Sequence, residues 1–508
     1  MIFSETTSVC PVCLKTLPAI LRTAPDGVYM DKTCPDHGNF SALLWEGDFE
    51  SYLAWPSGNE SREVPINGCQ TKKGCPYDCG LCEEHQSKGC CVLLELTHRC
   101  NLRCPVCFAS AGDTEEEPRR KNRDSFASSL PGNKSVPSSE TGKMSPSKES
   151  ADSTHTDIPL EEIRQQYAYL MAHGGPFNIQ LSGGEPTMRD DLPDIIRLGR
   201  DMGFSFFQLN TNGLRLAHEE GYAVRLKQAG LNTVFLQFDG VSDDVYEILR
   251  GRRLLAEKEK AIANCAAAGL GIVLVPVIAA GVNEHQVGDI LRYALSHMPA
   301  VRGVHFQPLS YFGRCALPRP EKPITIPKML RLMEEQTEGT FKAAHFTGGG
   351  AENPYCSFHA TYRLLKDGSL KALSRHIPGS SGCCCHSSDE SRLSVAEQWS
   401  GGEFNNDQES CCCGDPRLPA KESCCDGGSG ISEDNSLFDT SSLDAFLEEA
   451  RKTTFAVSGM VFMDAYNLDL ARLRRCYICE VDSRFGMVPF CAYNLTGRDG
   501  RALYRNKI

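Results

Sequence analysis

Between residues 92 and 310, short apolar runs alternate with stretches of helical periodicity, and this alternation limits the folds open to the chain. Strand-like runs fall at Val92–Leu96, Phe177–Leu181, Phe206–Leu209, Val234–Phe238, Gly271–Val277 and Val304–Pro308. Between most of them, apolar residues recur at three- and four-residue spacing, as in Leu160–Met171, Leu192–Met202, Glu257–Ala268 and His285–His297. Parallel strands need crossovers, and helices of this length supply them. Six such units predict an α/β chain with a parallel barrel, or part of one.

Two stretches break the pattern. Residues 113–156 are rich in Ser, Lys, Glu and Pro and nearly lack large apolar side chains. They cannot bury enough surface to offset the entropy of ordering, which predicts a disordered insertion. Residues 378–436 are rich in Gly, Ser and Asp, carry cysteines in adjacent pairs and triplets, and read as a second insertion. The predicted organisation is then a segment 1–67, a cysteine loop 68–91, a barrel 92–315 and a C-terminal region 316–508.

The chain of 508 residues carries 26 cysteines and a net charge of −12. That charge argues against a general nucleic-acid binder, which would be basic. The longest apolar run, Gly271–Ala280, is about ten residues, too short to span a bilayer. A basic segment followed by an apolar core is missing from the start, so a cytoplasmic protein is expected, with peripheral membrane contact still compatible. In a reducing compartment, clustered cysteines read as metal ligands or catalytic groups rather than disulfides.

The first strand runs into Cys100-Asn101-Leu102-Arg103-Cys104-Pro105-Val106-Cys107. Three thiolates at this spacing can each hold one iron of a cubane and leave the fourth iron open to a small molecule. A structural zinc site would want four protein ligands. The second strand ends in Ser182-Gly183-Gly184-Glu185-Pro186, the third in Asn210-Thr211-Asn212-Gly213 and the fourth in Gln237-Phe238-Asp239-Gly240. Polar residues and glycines thus recur at the strand ends where barrels place their active sites. Taken alone, the two glycines would mark a turn and Asp239 a solvated carboxylate.

This combination resembles the radical S-adenosylmethionine (SAM) superfamily over about 92–315, less the insertion. The resemblance implies a partial (β/α)6 barrel of TIM type with cysteine-rich metal-binding extensions at both ends. It implies that Cys100, Cys104 and Cys107 ligate a [4Fe–4S] cluster, and that Gly183, Gly184 and Glu185 meet the methionine amino group of SAM. Asn212 and Asp239 would stand near its ribose or methionine moiety. The chemistry implied is one-electron cleavage of SAM to a 5′-deoxyadenosyl radical, fed by a donor such as ferredoxin or flavodoxin. That radical takes hydrogen from an unactivated C–H bond.

Other cysteines ask for more metal. Cys75, Cys79 and Cys82 repeat the same spacing, and Cys69 or Cys91 could close an auxiliary [4Fe–4S] cluster or a zinc site there. Cys10 and Cys13, followed by Cys34 and His37, read as a mononuclear site for zinc or a rubredoxin-like iron. If His37 is a turn residue, another cysteine, such as Cys69, would complete it. Cys476, Cys479 and Cys491 could join Cys356 in a second auxiliary cluster. Cys265, in an Ala-rich helix, suits core packing.

The outer motifs, CPVC…CPDHG, GCPYDCGLC and PFCAYN, resemble one subfamily of tetraether lipid synthases and dihydro-hydroxymethylpterin methyltransferases. That likeness implies three clusters and one mononuclear iron. The subfamily has adjacent cysteines where this chain reads Cys476-Tyr477-Ile478-Cys479, which leaves the last ligand set open. The leading expectation is carbon–carbon bond formation between lipid chains, with C-methylation of a pterin as the alternative. A long apolar tunnel would favour lipid and a compact polar pocket pterin. An iron–sulfur electron carrier and a zinc-dependent interaction protein are rival classes.

Overall fold

The parallel strands form because each alternates a residue for a helix-covered face with one for the opposite face. The structure, a computed structural model, describes residues 1–55, 65, 68–69, 71–112, 157–349, 353–374, 392–393, 395–396, 399–400 and 449–505. The expected insertion at 113–156 lies outside these residues, as do the cysteines at 383–385, 411–413 and 424–425.

Strands β1 (Ile2–Val9), β2 (Thr16–Ala24), β3 (Gly27–Cys34) and β4 (Gly38–Glu46) make an antiparallel meander. Helix α1 (Phe49–Ala54) follows, capped by the Asp48 side chain accepting from the Ser51 N–H.

The barrel starts at β5 (Cys91–Glu95), and the two-residue β6 (Val106–Cys107) lies in the cysteine loop behind it. Then come α2 (Leu160–Ala172), β7 (Asn178–Ser182), α3 (Leu192–Asp201), β8 (Phe207–Thr211), α4 (Leu214–His218) and α5 (Tyr222–Ala229). They are followed by β9 (Thr233–Gln237), α6 (Asp243–Arg250), α7 (Leu255–Ala267), β10 (Gly271–Val275), β11 (Val277–Ile278), α8 (Val287–Ser296) and β12 (Val301–Pro308). Strands β5, β7, β8, β9, β10 and β12 lie side by side in chain order, all parallel. This is the partial (β/α)6 barrel. Val92, Leu94, Ile179, Leu181, Leu209, Val234, Leu236, Ile272 and Leu274 point outward into one core with the helices. Cys265 lies in that core.

The C-terminal region builds on the same sheet. It opens with β13 (Arg314–Cys315), antiparallel to β6, and α9 (Ile326–Gln336). Next, β14 (Ser357–Leu364), β15 (Leu370–Ala372) and β16 (Thr454–Met460) extend the β12 edge. Last, β17 (Ile478–Asp482) and β18 (Gly486–Pro489) extend the β5 edge. The meander packs on this region: Ser8 Oγ donates to Leu468 O (2.5 Å), and the buried Lys32 Nζ donates to Ala465 O (2.9 Å).

One part of the expected 378–436 insertion is packed rather than loose. Arg392 donates to Gly89, Gly174 and Pro176 carbonyls at the start of β5 and β7. Ala396 and Trp399 cluster with Phe206, Val273 and Ala456. A Cβ on Gly303 would stand 2.9 Å from the Trp399 ring, so this strand position admits the indole because it is glycine. A short segment therefore fills the barrel from the end where its strands begin.

Candidate functional site

Cys100, Cys104 and Cys107 lie in the loop after β5, and Cys104 is buried with Leu102, Leu214, Tyr246 and Leu254. The Leu102 N–H points at Cys100 Sγ (3.4 Å). Burial, with Glu185 and the other two thiols near, pushes the Cys100 thiol up to about 12. Such a thiol turns into a thiolate when a metal displaces its proton, so the trio fits a cluster-binding role.

The Gly183–Glu185 loop is built against this loop. The Gly184 N–H donates to Thr97 O (2.7 Å) and the Glu185 N–H to Arg99 O (2.8 Å). At Gly183 the φ is +123°, and an added Cβ would lie 2.5 Å from Thr97 O. On Gly184 it would lie 2.3 Å from Arg99 O. Both glycines thus permit the close approach of two backbones, which is more than a turn requires.

Three residues expected at the SAM site have protein partners in this frame. The buried Glu185 carboxylate accepts from the Thr187 N–H (3.1 Å) and hydroxyl (2.6 Å), the Thr211 hydroxyl (2.6 Å) and the Asn212 N–H (2.8 Å). It ties the second strand-end loop to the third. The Asn212 side chain donates to Asn101 Oδ1 (2.7 Å) and accepts from the Leu214 N–H (3.0 Å). Asp239, fully buried, holds Arg250 with two bonds of 2.7 Å and accepts from the Val277 N–H (3.1 Å). In each case these bonds tie neighbouring loops together.

The sequence reading missed the cations that complete this frame. Arg250 Nη1 donates to Val106 O (3.0 Å), inside the cysteine loop. Arg314 donates to Cys104 O (2.8 Å) and Ala111 O (2.7 Å). Lys258, fully buried, donates to Asn212 O (2.6 Å), and burial lowers its ammonium to about 8. In the sequence, a lone arginine or lysine reads as a solvated charge, and no local signal separates these three from the rest.

The inward face of the barrel carries a row of polar side chains beside apolar ones such as Leu93, Phe235 and Val273. Glu95, Gln180, Asn210, Gln237, His305 and Gln307 occupy the positions between the outward apolar ones, and all keep partial exposure. Asn210 Nδ2 reaches toward Gln180 Oε1 (3.4 Å). Beneath this ring, Phe235 meets Trp399 edge-on at 6.0 Å, over the plug.

The outer cysteines separate into groups. Ligand atoms of Cys10, Cys13, Cys34 and His37 all lie within 4.8 Å of one another, a geometry suited to one ion. Cys75, Cys79 and Cys82 share one loop, in which the Cys69 thiol donates to Asp78 O (3.1 Å). The same loop brings Cys69 close enough to Cys82 to feel its charge. Cys91 opens β5 instead, in register with Ile478, and its Sγ lies 3.6 Å from that of Cys90. At the C-terminus, Cys491 feels Cys476 and Cys356. Cys479 pairs in register with Val92 and packs in the helix-side core, whereas Cys491 belongs to the cluster on the other face. Strand alternation thus puts Cys479 on the face opposite Cys491, though it feels Cys476 and Cys91.

Comparison with known proteins places these features. Residues 94–294 match the radical SAM superfamily, and residues 2–46 match the N-terminal zinc ribbon domain described for HMPTM proteins. The 7,8-dihydro-6-hydroxymethylpterin dimethyltransferase of Methanocaldococcus jannaschii is 34% identical over 97% of this chain and 94% of its own length. A probable GTP 3′,8-cyclase of Methanothermobacter thermautotrophicus is 35% identical over 23% of this chain and 38% of its own. Among solved structures, Streptococcus suis SuiB bound to precursor peptide SuiA aligns with a TM-score of 0.36 at 12% identity, over 65% of this chain and 69% of that one. The full-length match is to a pterin enzyme, and it supports the methyltransferase alternative in place of lipid-chain coupling. The chain is a radical SAM enzyme and belongs to the family of the 7,8-dihydro-6-hydroxymethylpterin dimethyltransferase.

Proposed function

We propose that this enzyme methylates a ring carbon of a reduced pterin, with Cys100, Cys104 and Cys107 as the cluster ligands. Superfamily membership implies a [4Fe–4S] cluster and SAM. When bound, that pair supplies a 5′-deoxyadenosyl radical able to take hydrogen from an unactivated C–H bond.

The observation that carries the substrate class is the inward row of Glu95, Gln180, Asn210, Gln237, His305 and Gln307 above the Trp399 plug. A fatty chain would leave the remaining hydrogen-bonding atoms of this row, such as His305 Nε2, without partners, at about 1–3 kcal/mol each. A flat ring carrying N–H and C=O groups can pair with them. The plug stops the barrel from serving as a through-tunnel.

In this reading Gly183 and Gly184 let the second strand-end loop close on the cysteine loop, while Glu185 and Asn212 fix the third loop beside it. Arg250 and Arg314 hold the cysteine loop by its carbonyls. The Cys10–His37 group would hold zinc or iron as a structural ion, and the Cys75 loop and the C-terminal cysteines would hold auxiliary clusters. A one-electron donor such as ferredoxin or flavodoxin would reduce the enzyme.

The test is anaerobic. Reconstituted enzyme receives SAM, dithionite, 7,8-dihydro-6-hydroxymethylpterin and a one-carbon donor (further SAM, or a methylene-bearing reduced pterin, in separate arms), with Cys104→Ala beside it. Pterin-stimulated 5′-deoxyadenosine and a pterin of increased mass, both absent from the variant, are expected. Stimulation by long-chain lipid and none by the pterin would overturn the reading.

A further inference from the structure

We infer that His305 binds the substrate ring directly through Nε2, as a neutral hydrogen-bonding group on the barrel's inner wall. The inference rests on the pterin reading and names the residue that would grip the ring.

His305 sits on β12, the last parallel strand of the barrel, with its side chain on the inner face. Its neighbours Val304 and Phe306 are fully buried in the helix-side core, while His305 keeps partial exposure. Nδ1 is held by Ser458 Oγ at 2.9 Å, across the β12–β16 register in which His305 and Ser458 stand opposite each other. A hydroxyl on one ring nitrogen fixes the ring's orientation and leaves the other nitrogen for a ligand. Nε2 has no partner among the described residues. The Phe235 and His305 ring centroids stand 6.0 Å apart, and Phe235 lies against Trp399, so an apolar floor adjoins the imidazole. Gln307 follows two positions along the same strand, nearer the cysteine loop end, and Gln237 faces inward from β9.

Burial lowers the imidazole to about 4, which keeps it uncharged at neutral pH. An uncharged imidazole among amides suits an uncharged ligand with both donors and acceptors. A carboxylate or phosphate group would want a cation there; Arg250, Arg314 and Lys258 are already committed to carbonyls near the cysteine loop, and the buried Arg505 to Glu95. A flat heterocycle resting on Phe235 and bonded by Nε2 fits both features.

The test is calorimetric titration of reconstituted, SAM-loaded enzyme with 7,8-dihydro-6-hydroxymethylpterin, for wild type, His305→Ala, His305→Gln and Ser458→Ala. A roughly tenfold or greater loss of affinity is expected for His305→Ala, the size of one buried hydrogen bond. Ser458→Ala, which frees the ring to turn, should lose a smaller factor. Iron content and pterin-free SAM cleavage should stay at wild-type levels in all of them, since His305 touches neither loop. If His305→Ala does not fold, His305→Gln and Ser458→Ala carry the comparison. Wild-type binding matched by every folded variant would overturn the role of His305 and leave the pterin reading standing. No binding by wild type would overturn both.

Discussion

Removing the charge of Asp239 should loosen the cysteine loop even though Asp239 touches neither a cysteine nor solvent. Its carboxylate is fully buried and makes three bonds, two to Arg250 and one to the Val277 N–H. Asp239→Asn keeps the shape and one good acceptor but leaves the Arg250 guanidinium, 5% exposed, without a counter-charge. An orphaned buried ion costs about 3–5 kcal/mol. Arg250→Met removes the other half and also the donor to Val106 O. In the double variant neither charge is buried alone, so its cost should fall at least about 2 kcal/mol short of the sum. Anaerobic urea unfolding can be followed by tryptophan fluorescence, since Trp399 reports the barrel floor and Trp45 and Trp55 the meander side. The Trp399 transition should shift in both single variants, and a chelator should strip iron from them faster than from wild type. Additive costs within about 0.5 kcal/mol, or single costs under about 1 kcal/mol, would refute the clamp.

Gly184→Ala should abolish pterin-dependent deoxyadenosine formation and lower iron content, because a Cβ there would stand 2.3 Å from Arg99 O. Near-wild-type activity in that variant would show that the two loops do not pack as described. Burial and the nearby Glu95 raise the Glu480 carboxyl from its ordinary 4.5 to about 8, so the folded protein keeps a proton that the unfolded chain releases. Stability should therefore fall as pH rises from about 4.5 through about 8, and Glu480→Gln should flatten that slope in denaturation scans. Because the Cys100 thiol is raised to about 12, iron loading of apoprotein should release protons and proceed faster at higher pH, measurable with a pH indicator during reconstitution. Cys13→Ser should drop the metal content by one ion per chain by elemental analysis and leave pterin-free SAM cleavage nearly intact.

The barrel was legible because its strands repeat a local rule. Each run read from the sequence lies within about three residues of its strand, since apolar side chains alone fix the outward face. The polar inward row stands in the same sequence, but its meaning depends on knowing which face is closed. Asp239 and Glu185 were legible as strand-end carboxylates, but their protein partners were not. Their carboxylates pair with Arg250, 11 residues on, and Thr211, 26 residues on, and no local pattern announces such pairs. Trp399 lay in a stretch whose Gly, Ser and Asp content predicts looseness, and one aromatic against Gly303 reverses that for its neighbourhood. Spacing grouped Cys10, Cys13 and Cys34 but left the fourth ligand open, and the fold sets His37 beside them, whereas Cys479 required the strand register to show which way it points.

The two outer edges of the barrel sheet have a consequence for biosynthesis. Strand β5 takes its second neighbour from β17, so Cys91 waits for Ile478, and β12 waits for β16. While the ribosome makes the intervening chain, six parallel strands can assemble with both borders open, and open borders recruit other chains. Folding of this protein should therefore finish late and in one step, after nearly all of it has emerged. Chains truncated before β17 should aggregate rather than persist as a stable barrel, and shielding by a chaperone during synthesis would raise the yield of full-length enzyme.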